Sequence, residues 1–147
     1  MENKNLNILD EVNKGATMGM DAIDIIAQRT KDPDLKATLS TEYDKYKNIS
    51  QRVNEVYSHY HTNKEPHETN KMEKMMTWYG IQMRTIKDDT KSKLSELLMQ
   101  GTNMGIIEGR RLLNQNQNGR IDSDVKNILN DFVVMQEDSI ETLKKFL

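Results

Sequence analysis

Two carboxylates, Glu42 and Glu108, fall at positions where the surrounding helical repeat otherwise places apolar residues. An acid on the inward face of a helix has few options. It ligates a metal, or it is neutralised and hydrogen-bonded by a partner, because an unpaired buried charge is too costly to keep. Hydrogen bonding through Tyr46, Gln136, Ser139 or a nearby base is the reading the sequence favours. The alternative is a metal or redox site built on Glu42 and Glu108 with help from Asp24 and Gln136. Iron or manganese would then be the cofactor; the favoured reading needs none.

The elements that must position these acids follow from periodicity. A first segment, about 5–30, sets Leu9, Val12, Ala16, Gly19, Ile23 and Ile26 on one face by alternating steps of three and four. Asp32-Pro33 then reads as an N-cap followed by proline at the first helical position. A second segment to about 60 repeats the rhythm with Leu35, Leu39, Glu42, Tyr46, Ile49, Val53, Val56 and Tyr60. A shorter third segment, about 69–87, turns Met72, Met76, Tyr79, Met83 and Ile86 inward. A fourth, about 90–115, presents Leu94, Leu98, Gly101, Gly105, Glu108 and Leu112, and a fifth from 122 carries Val125, Leu129, Phe132, Gln136, Ser139 and Leu143. Glycines recur on the first and fourth segments, Gly15 and Gly19 on one, Gly101, Gly105 and Gly109 on the other. That small stripe predicts close helix packing, even though glycine weakens a helix by about 1 kcal/mol per residue. The expected fold is all-α, a single domain over 1–147 with four long helices and one short crossover helix.

Composition narrows the function. A net charge of −2 with Lys and Arg spread along the helices offers no basic face for nucleic acid. No apolar run approaches the roughly 20 residues needed to span a bilayer. With no cysteine, disulfides, thiolate catalysis and cysteine-ligated metals are excluded. The start, Met1-Glu2-Asn3-Lys4, lacks the apolar core of a secretory signal, so a cytoplasmic location is expected.

Three other constellations have bland and sharp readings. His59, His61 and His67, with Glu65 and Glu68, could hold a transition metal weakly, but His59 and His61 point to different faces of a helix. The stretch 114–125 overlays a calcium loop, with oxygen side chains at its first, third, fifth and ninth positions and Gly119 at the sixth. Its twelfth position is Val125 where the bidentate acid belongs, and an Asn/Gly-rich helix hairpin explains the same residues, with a weak calcium-responsive hairpin as the other reading. Met72, Met75, Met76 and Met83 are expected as flexible core filler, with an interaction surface as the other reading.

Two long antiparallel helices, a crossover and two more long helices resemble the ferritin-like superfamily, in particular its small bacterial members. The resemblance rests on pattern and topology over nearly the whole chain. It implies inward Glu from two helices and Glu-x-x-His from each of the other two. The matching quartets here are Glu42-Tyr43-Asp44-Lys45 and Gln136-Glu137-Asp138-Ser139, so lysine and serine stand where the histidines belong. The resemblance with a degenerate iron motif implies a non-catalytic, structural or protein-interaction module, binding a protein partner or self-associating. The similarity to spore-coat members implies packing or assembly.

Overall fold

The computed structural model describes residues 2–60, 66, 78, 80–82 and 85–147. Among these the protein is all-helical, with four long helices: α1 (Glu2–Arg29), α2 (Pro33–Ser58), α3 (Lys91–Gln115) and α4 (Ser123–Leu143). A 3₁₀ turn, Lys144–Phe146, ends the chain's helical course. Each boundary has a local cause. The Asp32 side chain accepts a hydrogen bond from the Leu35 amide at 2.8 Å, satisfying one of the orphan donors at the start of α2, and Pro33 occupies the first turn. Thr90 caps α3 in the same way through the Lys93 amide. Of the shorter segment expected over 69–87, Trp78, Gly80 to Gln82 and Thr85 are helical. Met72, Met75, Met76 and Met83 lie outside the described residues.

Cross-helix contacts fix the directions of the four helices. The three-residue link 30–32 makes α1 and α2 antiparallel, and the hairpin loop before α4 does the same for α3 and α4. At the far end of α1, Arg29 faces Asp89 and Lys91 faces Asp32, so α3 begins where α1 ends. Tyr60 donates to Asp122 at 2.5 Å, and Arg52 pairs with Asp131, so α4 begins where α2 ends. Asn5, in the first turn of α1, accepts from the Asp122 amide and ties the starts of α1 and α4 together. The order is therefore up, down, down, up. Helices α2 and α3 run the same way and are joined across the bundle's length.

The core is aliphatic, with Leu9, Ile26, Leu35, Leu39, Leu94, Leu97, Leu129 and Leu143 essentially inaccessible. Each such side chain contributes about 1.5–3 kcal/mol through the water it no longer contacts. The glycines do not pull two backbones into direct contact as their spacing predicts. They receive side chains instead. Phe132 lies over Gly15, Tyr46 over Gly19, Val133 over Gly109 and the Gln136 amide over Gly105. Tyr46 and Phe132 meet edge to face between them, centroids 6.2 Å apart at 76°.

This packing corrects the expected inward face of α3. The buried side follows Leu94, Leu98, Gly101 and Gly109, joined by Leu97 and Thr102. The helix turns its glycines toward α4, so Glu108, one residue before Gly109, points to solvent.

Gly19→Ala and Gly105→Ala separate rigid from yielding neighbours. A Cβ at Gly19 would stand 2.5 Å from the Tyr46 ring, a buried aromatic that cannot swing aside. Overpacking of about 1–3 kcal/mol should outweigh the helix-propensity gain of about 1 kcal/mol and lower the midpoint of urea unfolding. At Gly105 the obstacle is the tip of Gln136, so the same substitution should be close to neutral.

Candidate functional site

Glu42 is the one carboxylate of the described residues buried in the core, at 2% exposure. Its helical phase follows from Leu35, Leu39 and Tyr46, all on the buried side of α2. Two groups satisfy it. Ser139 on α4 donates to Oε2 at 2.8 Å, and Lys45, one turn along α2, donates to Oε1 at 3.4 Å. Ser139 Oγ also lies 3.0 Å from the Met135 carbonyl, but a hydroxyl has one proton and the carboxylate is the stronger acceptor. Lys45 is 41% exposed along its side chain, so its stem reaches in from the surface with the amine half in water.

The remaining sequence-predicted candidates are placed elsewhere. Glu108 is exposed and pairs with Arg111 on its own helix, which corrects its assignment to the inward face. Asp24 is exposed on α1. Gln136 is buried, one turn before Ser139, with its Nε2 3.4 Å from the Phe132 carbonyl. The four candidates are thus not brought together as a ligand set. Among the described residues no group of three or more acids or histidines stands close enough to hold a metal. Glu42 itself faces a cationic amine and a hydroxyl, a donor set that does not fit a bound iron or manganese ion.

The 114–125 loop is used as a fastener. Asn114 lies in the last turn of α3, where its Oδ1 faces Gln117, and Asn116 donates to the Leu112 carbonyl. Asp122 is held by Tyr60 and Asn5, and Gly119 takes the positive φ of the turn, 69°. Those contacts serve a helix hairpin. His59 is exposed, while His61, Glu65, His67 and Glu68 lie outside the described residues.

Beside Glu42 runs a groove between α1 and α3, of about 370 Å³. Val12, Met18, Leu98, Leu112 and Phe132 make most of its wall, and the glycines of both helices hollow it. Tyr46 and Gln136 form its floor, so it begins one turn from the Glu42 network. Tyr46 is hydrogen-bonded to Thr102. Sequence reasoning missed Thr102, which sits outside the three-and-four series and is buried only because α3 rotates about its glycines.

No family model, curated protein or solved structure matches the chain.

Burial holds the Tyr46 phenol well above its ordinary range; the Thr102 hydrogen bond opposes this and the Glu42 charge adds to it. Above pH about 10 an unfolded chain releases the phenolic proton while the folded chain keeps it, so stability must fall as pH rises through that range. Tyr46→Phe should flatten this alkaline slope, measured as urea midpoints between neutral and strongly alkaline pH. An unchanged slope would place the loss at other groups.

Proposed function

We propose that the chain is a ferritin-like four-helix bundle in which Lys45 and Ser139 take the role that metal ligation plays in catalytic members, leaving a non-catalytic structural or interaction module. The observation that carries this reading is the Lys45 amine on Glu42. The di-iron pattern asks for Glu-x-x-His, because residues three apart share a helix face and can share a metal. Here the residue three after Glu42 brings its own positive charge. The quartet on α4 offers Gln136 and Ser139, neither an anion nor an imidazole. The up-down-down-up order, with a long connection between α2 and α3, supports the ferritin-like part of the proposal.

An ammonium does part of a metal's electrostatic work and none of its redox work. It neutralises the carboxylate and fixes its rotamer, but it has no open coordination position. The role this leaves is assembly, packing against a protein partner or a second copy through a helical face. Exposed Val134 on α4 and Leu147, together with Met104 and Ile107 on α3 and Ile81, put apolar side chains on the surface and suit that role. The other reading, a metal or redox bundle using inward carboxylates, has Glu42 alone to build on among the described residues.

Elemental analysis of untagged protein, purified without chelator from metal-replete medium, should return substoichiometric iron, manganese and zinc. Near-stoichiometric metal, lost in Glu42→Gln, would overturn the proposal. Lys45→His/Ser139→His should move the other way and gain measurable Zn²⁺ or Co²⁺ binding by calorimetry, since it restores imidazoles beside Glu42.

A further inference from the structure

Gln136 turns toward the groove between α1 and α3 a polar atom to which the described residues give no hydrogen bond. Gln136 is 2% exposed, and among the described residues its hydrogen bond runs from Nε2 to the Phe132 carbonyl. Its Oε1 accepts nothing among the described residues. That oxygen lies over Gly105, 2.1 Å from where a Cβ would stand, in the floor of the 370 Å³ groove. An acceptor facing an apolar groove offers an incoming hydroxyl a hydrogen bond worth about 0.5–1.5 kcal/mol net.

We propose that this groove is a binding site for a neutral, single-chain amphiphile, such as a medium-chain alcohol, whose hydroxyl donates to Gln136 Oε1. The inference goes beyond the module reading and does not depend on what holds Glu42. Four properties of the site select the ligand. Its volume lies at the lower end of small-molecule sites, which are mostly apolar with a few placed polar groups. Its length is set by helix geometry, since Gly101 to Gly109 spans about 12 Å, comparable to an extended chain of about ten carbons. Its wall is apolar, so a charged headgroup would lose its hydration without compensation. Finally, the polar atom on offer is an acceptor. A carboxylate would be repelled by it and by Glu42 one turn away from Tyr46, whereas a hydroxyl would be held.

The rim agrees with a neutral occupant. Glu11 and Lys14 pair with each other at 3.3 Å, and Glu108 pairs with Arg111, so neither edge presents an uncompensated charge. Met104 and Ile107, at 45% and 48% exposure, stand at the mouth, where a chain lying in the groove would cover them. The Thr102 hydroxyl donates to the Leu98 carbonyl at 2.8 Å, and the Tyr46 phenol has Thr102 as its own partner, which leaves Gln136 as the polar anchor.

The test is a titration of the folded wild-type protein with 1-decanol, decane and decanoate, followed by amide chemical shifts. Decanol should bind saturably at one site and shift Gly15, Gly19, Gly101, Gly105 and Gly109, while Gly119, in the distant hairpin loop, stays fixed. Decane and decanoate should each bind about fivefold to tenfold more weakly, the value of one hydrogen bond. Gln136→Leu should erase the preference for the alcohol over the alkane while keeping apolar binding. Equal binding of all three by the wild type, shifts spread over the surface including Gly119, or no saturation with decanol would each overturn the assignment. The wild-type comparison decides it even if the Gln136 variant fails to fold.

Discussion

A carboxylate taken out of water must recover its solvation from donors the protein supplies, and Glu42 obtains them from two helices at once. Lys45 comes from its own helix and Ser139 from α4. The second bond matters most for the fold, because α2 and α4 are far apart in sequence and antiparallel. Tyr60 with Asp122 and Arg52 with Asp131 continue the same pairing along the helices. Register between α2 and α4 is thus set by polar contacts at three levels, and the buried one tolerates least error. A one-turn slip would leave an anion in an aliphatic core without its hydroxyl. Surface pairs of the Arg52–Asp131 kind contribute at most about 1 kcal/mol each, so they adjust this arrangement more than they determine it.

Opposite Glu42 the bundle is organised by absence of side chains. Gly15 and Gly19 admit Phe132 and Tyr46, and Gly105 and Gly109 admit Gln136 and Val133. The small residues let core side chains lie on helix backbone, while the space between α1 and α3 stays open as a groove. One polar cluster and one hollow apolar face meet at Tyr46, which belongs to both. Its ring packs on Phe132 and Gly19, and its hydroxyl stands between Thr102 and the field of Glu42. A change at Tyr46 is therefore felt in the groove and the network together.

The helices were legible in the sequence because their signals are local. Apolar residues at steps of three and four gave α1, α2 and α4 their buried faces, and Asp32-Pro33 announced the cap that begins α2. The inward acid at position 42 was legible for the same reason, since Leu39 and Tyr46 bracket it. Glu108 was misread because periodicity alone cannot say which way a helix turns when its inward residues are glycines. Those positions carry no hydrophobic signal, and the phase of α3 is decided by Val133 and Gln136 arriving from another helix. Asn5, Asn13 and Thr102 escaped notice for a related reason. Their burial depends on partners distant in sequence, as when Ser50 donates to Asn13 at 2.7 Å. The groove had a trace in the glycine spacing, read as close packing, and only three-dimensional placement distinguishes a closed helix contact from an open channel.

Whether Lys45 answers the charge of Glu42 is measured directly by a double-mutant cycle. Urea unfolding would be followed for the wild type, Lys45→Met, Glu42→Met and the double variant, each keeping the aliphatic bulk. Removing the amine alone strands a buried anion, so Lys45→Met should be distinctly destabilising in the wild-type background and nearly neutral once Glu42 is gone. A coupling of about 1–2 kcal/mol is the predicted result, moderated by the solvent around the lysine amine. Additivity within about 0.5 kcal/mol would mean that Lys45 does not answer the charge, and the explanation for the acid at position 42 would fail.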